Sequence, residues 1–163
     1  MQKVFGEVEA ATKALEWQGL GLAFTVPGMM MKHWVAKPLD PQLRAVVDHY
    51  QTARDAAQRA LAATTPAGRS YVQYWIGRLD FGIGYMQAID ALRAAAIADS
   101  KKDRGAALEH ARKSLSLATE AVESYASVAH DRSDKGAIAV MNEYVIRPLR
   151  AKVAALSEPA KQK

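Results

Sequence analysis

Apolar residues recur along this chain at three- and four-residue spacing almost throughout, the period of helices with one face turned inward. Val4, Val8, Ala11 and Leu15 form one such stripe and predict a first helix over about 2–18, stopped by Gly19 and Gly21. Leu43, Val46, Val47, Tyr50, Ala57 and Leu61 predict a second over about 41–63, with Asp40 placed to cap it and Pro41 suited to its first turn. Thr65 and Pro66 repeat that start for a third helix, which runs to about 98 before the polar break "DSKKDRG" at 99–105. A fourth, over about 103–130, carries Leu108, Ala111, Leu115, Ala118, Val122, Tyr125 and Ala129. A fifth starts near Ser133 with Ile138, Met141, Val145, Leu149, Val153 and Leu156; Pro148 lies inside its pattern and should kink or split it.

The links near 64–66, 99–103 and 131–133 are short, and short links make successive helices antiparallel neighbours. The expected fold is therefore all-α: an up-and-down antiparallel bundle of four main helices, with the N-terminal helix and an irregular apolar connector, 19–39, laid across it. Residues 1–156 read as a single domain and 157–163 as a flexible tail. No repeat of about 34 residues supports a tetratricopeptide-like array, and the third helix is too long for that unit.

On the third helix, Val72, Trp75, Ile76, Leu79, Ile83 and Met86 share a broad face, extended by Tyr74, Phe81, Tyr85 and Leu92, so this helix should be the most buried. Gly77, Gly84 and Ala91 recur every seven residues on its other side, which either marks the close approach of another helix or chain or is simply tolerated. Arg78 and Asp90 fall inside the apolar arc. A buried arginine needs an acid, and Glu143, Asp131 and Asp134 are the candidates for a structural ion pair. The other reading makes Arg78, with Tyr74, Tyr85, Asn142 and Tyr144, the lining of a pocket for a small anion. Asp80 points away from the core on the same wheel and reads as solvated.

Charge and motifs narrow the chemistry. The chain has 163 residues with 22 basic and 17 acidic side chains, for a formal net charge of +5. The basic residues are scattered among acids, without the dense patch and interleaved aromatics of a nucleic-acid binder, so no nucleic-acid partner is expected. The absence of cysteine excludes disulfides and thiolate metal sites. Glu7, Glu9 and Glu16 argue against a signal peptide, and the apolar run 19–31 is too short for a membrane span, so no membrane partner is expected and the compartment stays open. No Walker loop, GxGxxG, GxSxG or HExxH motif is present. His33, His49, His110 and His130 lack metal-ligand spacing and read as surface or half-buried. Asp80, Asp90, Asp134 and Glu143 are the carboxylates on mostly apolar stretches, but a tight bundle offers them no open cleft. No catalytic residue, metal site or cofactor is expected.

The segment "VPGMMMKHW" (26–34) remains. Phe24, Met29, Met30, Met31 and Trp34 either offer an apolar patch to a neighbouring domain or a homodimer partner, or close the bundle's own core. The stretches "YVQYWIGRLDFGIGYMQAIDALRAAA" and "ESYASVAHDRSDKGAIAVMNEYVIRPL" resemble the helical C-terminal region of large bacterial glycoside-hydrolase-like proteins of the α-glucuronidase type, in which a barrel precedes a helical domain. The resemblance covers roughly 20–155, and "PGMMMKHW" would fit the join with the barrel. It implies a non-catalytic accessory domain for packing or dimerisation in a multidomain, carbohydrate-active protein, and it carries over no catalytic residue.

Overall fold

The computed structural model describes residues 1–17 and 29–158, and every regular element among them is helical. The helices are α1 (Gln2–Trp17), α2 (Pro41–Ala63), α3 (Pro66–Ser100), α4 (Arg104–Ala126), α5 (Arg132–Met141) and α6 (Arg147–Ser157). A single 3-10 turn, Met31–His33, precedes α2, and a π turn, Asn142–Ile146, joins α5 to α6. No described helix is long and apolar enough to cross a membrane.

The ends of these helices follow from local chemistry. The Asp40 carboxylate accepts the N–H of Gln42 at 2.8 Å and Pro41 occupies the first turn of α2. Pro66 starts α3 in the same way, although the Thr65 side chain makes no capping bond. α3 ends with Lys102 in the left-handed region (φ 63°), and Asp103 then caps α4 by accepting the N–H of Ala106. α4 stops at Ala126, earlier than its apolar stripe predicts. Asp131 caps the next helix through the N–H of Asp134, so α5 begins at Arg132.

Pro148 neither breaks the last helix nor leaves it regular. Its ring would collide with the Tyr144 carbonyl four residues back in an α-helix. The backbone widens just ahead of it, with the Arg147 N–H bonding to Asn142 five residues back, and helical dihedrals continue on both sides. The far end of α6 is held by Arg104, whose guanidinium donates to the carbonyls of Leu156 (3.0 Å), Ala155 (2.9 Å) and Glu158. Those carbonyls have no partner within the helix, and the cation also suits the negative end of the helix dipole.

Neighbouring helices run antiparallel, as the cross-helix pairs show. Arg44, Tyr50 and Arg54 on α2 meet Asp90, Gly82 and Asp80 on α3 in descending order. Ala88, Gly84 and Gly77 on α3 meet Ser114, Ala121 and Val128 in ascending order along and just past α4. α1 lies along α2 rather than across the molecule. Val4 shares a core cluster with Ala53 and Ala57, Glu7 meets His49 at 2.8 Å, and Ala11 shares a cluster with Leu43 and Val46.

α3 is the central element, flanked by α2 and α4. Its α4 face includes Gly77, Gly84 and Ala88 against Ser114, Ala118, Ala121 and Ser124. A Cβ on Gly84 would stand 2.9 Å from that of Ala121, and one on Gly77 would stand 2.4 Å from a Val128 methyl. The heptad glycines thus mark the close approach of α4. Because α2 covers another face, the single-arc wheel misplaces Asp80: it is partly buried and accepts from Arg54 Nε at 2.6 Å. Asp90 is about half exposed and lies 3.5 Å from Arg44.

Candidate functional site

A dense polar arrangement among the described residues centres on Asp134, in the first turn of α5. Tyr125 near the end of α4 donates to Asp134 Oδ1 at 2.5 Å, and Tyr74 near the start of α3 donates to the same oxygen at 2.9 Å. The backbone N–H of His130 donates to Oδ2 at 3.2 Å. The carboxylate is 3 % exposed. The Tyr125 hydrogen bond, with help from Tyr74 and the His130 N–H, outweighs the opposing cost of desolvation and lowers its pKa to about 2. Burial and the bond to Asp134 push the Tyr125 phenol above its usual range. The result is a charged pin that ties α5 to α3 and α4.

Arg78 stands next to this pin but is not the buried cation that its wheel position suggests. Its side chain is exposed at the surface. Nη1 donates to the Tyr74 hydroxyl at 3.0 Å, and the guanidinium lies 5.6 Å and 5.5 Å from the ring centroids of Tyr74 and Tyr125. Among the described residues it forms no direct ion pair. Asp134 is reached through the Tyr74 hydroxyl, Asp131 caps α5, and Glu143 pairs with Arg147 at 2.6 Å one turn along the same helical path. The remaining three proposed pocket residues do not gather around Arg78. Tyr85 is partly buried, stacks on Phe81 at 5.6 Å, and has its phenol pushed up to about 12 by burial. Asn142 is exposed in the π turn, and Tyr144 packs on the main core.

His130, Asp131 and Asp134 bring one ligand atom each within 4.8 Å of one another. Three of the four carboxylate oxygens already accept hydrogen bonds from the chain, so the cluster reads as the start of α5 rather than a vacant chelate. His130 is exposed and its ring meets Tyr74 edge to face at 4.9 Å.

The methionine run turns inward. Met29 and Met30 are buried in the main core with Leu43, Leu92 and Leu149, so neither offers an apolar face to a partner. Met31 is half-buried. Trp34 is half-buried too, packs on the core, and carries the Lys152 ammonium 3.7 Å above its ring. Phe24 lies outside the described residues. The irregular chain runs inward here because the space between α2, α3 and α6 is filled by flexible thioethers, not by another regular helix. His33 follows them in. It is 4 % exposed, and its pKa falls to about 4, first through burial and then through the charges of Lys32 and Arg93.

Among the described residues, the exposed aromatic surface lies elsewhere, at the corner of α1 and α3. Phe5 is 40 % and Tyr71 53 % exposed, and Phe5 meets the half-buried Trp75 edge to face at 5.3 Å. Tyr71 stands one helical turn before Trp75 on α3. The sequence held a signal for this corner: Phe5 falls off the Val4–Val8–Ala11–Leu15 stripe, and Tyr71 falls outside the arc that begins at Val72. Residues of α2, α3 and the end of α4 also line an open groove of about 400 Å³, among them Gln58, Gln73, Asp80 and Ser127. No family model, curated protein or solved structure matches this chain.

Proposed function

We propose that this chain is a non-catalytic helical module that packs against another protein surface, either a second copy of itself or a neighbouring domain, through the Phe5–Tyr71–Trp75 corner. The observation that carries the reading is that corner: two large aromatic side chains remain substantially exposed, Phe5 in edge-to-face contact with Trp75 and Tyr71 one helical turn before it. Contiguous exposed aromatic surface is what association sites use, whereas single exposed apolar residues are ordinary. The reading also treats α2, α3, α4 and the α5–α6 unit as one up-and-down four-helix bundle. The antiparallel cross-helix pairs support this, as does one cluster joining Val46, Leu92, Val122 and Leu149. The accessory role in a multidomain, carbohydrate-active bacterial protein rests on the sequence resemblance of 71–96 and 123–149. Sedimentation across a concentration series tests the association: the wild-type chain forms dimers that Phe5→Ser with Tyr71→Ser abolishes, at unchanged helix content. A wild-type chain whose association the double variant leaves intact refutes the corner as the contact.

A second reading has one observation in its favour. Arg78 is exposed and, beyond its bond to Tyr74, has guanidinium donors with no acceptor among the described residues. A small anion could take them, although Asp134 behind Tyr74 opposes its charge. Thermal-shift titration with phosphate distinguishes this reading, because a stabilisation that Arg78→Gln removes would support it.

A further inference from the structure

The groove across α3 differs in chemistry from both the Asp134 pin and the aromatic corner. It is lined by Gln73, Ile76, Gly77 and Asp80 on α3, by Gln58 and Leu61 near the end of α2, and by Ser124 on α4 with Ser127 and Val128 just past it. The aliphatic side chains of Leu61, Ile76 and Val128 give it an apolar strip without an aromatic ring. Gln58 and Gln73 line the same groove, and their side-chain amides make no hydrogen bond among the described residues and hold both donors and acceptors free. Ser127 donates to the Ser124 carbonyl at 2.8 Å and keeps its acceptor capacity.

Charge decides the ligand class. The one ionised group in the lining, Asp80, is neutralised by Arg54 at 2.6 Å through Oδ1. An anion would meet the carboxylate, and the Arg54 guanidinium already offsets the charge that would draw a cation. A neutral molecule with both C–H surface and several hydroxyls matches a lining that mixes aliphatic side chains with amide, hydroxyl and carboxylate groups. The volume of about 400 Å³ falls in the range of small-molecule sites. We propose that this groove binds a small uncharged polyol, a sugar or cyclitol ring, with Gln58 and Gln73 as its principal hydrogen-bonding residues.

The test is a heteronuclear NMR titration of the full chain with glucose, galactose and myo-inositol, and separately with inorganic phosphate. At least one polyol should produce saturable amide shifts concentrated at Gln58, Gln73, Gly77 and Ser127, and phosphate should produce none there. Gln58→Ala with Gln73→Ala should weaken that binding about tenfold or more, the loss expected for removing two hydrogen-bonding groups. Gln87→Ala, exposed on the same helix but outside the groove, should leave it unchanged. All three altered side chains are exposed, so the variants keep the fold. Absence of saturable shifts with every polyol, equal shifts with phosphate, or unaltered binding in the double variant would each overturn the proposal. These readouts are independent of self-association at the aromatic corner.

Discussion

Tyr125 on α4 donates its phenolic hydrogen to the carboxylate of Asp134 on α5 across 2.5 Å, in a site almost closed to water. The bond joins two helices separated in sequence only by a short turn, and Tyr74 brings α3 to the same oxygen. A hydrogen bond to a charged acceptor stabilises more than a neutral one, and a buried acceptor left with fewer donors is costly. Tyr125→Phe should therefore cost on the order of 1–2 kcal/mol by urea unfolding. Arg78→Gln, whose guanidinium sits outside the pin, should cost less. A larger loss from Arg78→Gln than from Tyr125→Phe would show that the cation, and not the tyrosine pair, holds Asp134.

The pin and His33 set two acid windows. His33 titrates near 6.5 when unfolded and near 4 when folded. Between those values the unfolded chain binds the extra proton, so stability falls as pH drops from about 6.5 to about 4, by up to about 3 kcal/mol. Asp134 acts lower: its folded value near 2 lies below its reference value of 3.8, so its contribution is present above 3.8 and disappears as pH falls toward 2. Urea unfolding between pH 7 and pH 4 should show a slope in the wild type that His33→Gln reduces. An unchanged slope in His33→Gln would mean that His33 is protonated in the folded chain.

Glycine at the α3–α4 contact gives an internal comparison. Gly84→Ala should destabilise by about 1 kcal/mol, because the new methyl stands 2.9 Å from the Ala121 Cβ, which is fixed to backbone, and this strain exceeds the helix-propensity gain. A Cβ at Gly136 meets nothing within 4 Å, so Gly136→Ala should stabilise by about 0.5–1 kcal/mol. Thermal melts of the two variants, displaced in opposite directions from the wild type, check both values.

The same comparison shows which features could be read from the chain alone. Helix starts were legible at Asp40–Pro41, where the expected cap forms, and at Thr65–Pro66, where the proline sets the start although the Thr65 side chain makes no capping bond. Gly77 and Gly84 of the heptad meet α4 closely, one of the two readings their spacing allowed. The setting of Arg78 was not legible, since it depends on Tyr125 and Asp134 arriving from two other helices. Asp80 was misjudged because α3 has two covered faces and a one-face wheel allows one. The π turn answers Pro148, but its placement ahead of the proline and the continuity of the helix past it depend on how α6 docks on α4.

The interaction reading stands or falls on which apolar side chains a partner covers. Hydroxyl-radical footprinting of the chain over a dilution series measures this directly, since methionine, tryptophan, tyrosine and phenylalanine all report their accessibility. Phe5, Tyr71 and Trp75 should label readily at low concentration and become protected as concentration rises, while Met29 and Met30 stay unlabelled throughout. Ready labelling of Met29 and Met30 with protection growing there, or labelling of Phe5 and Tyr71 that never changes with concentration, would contradict it.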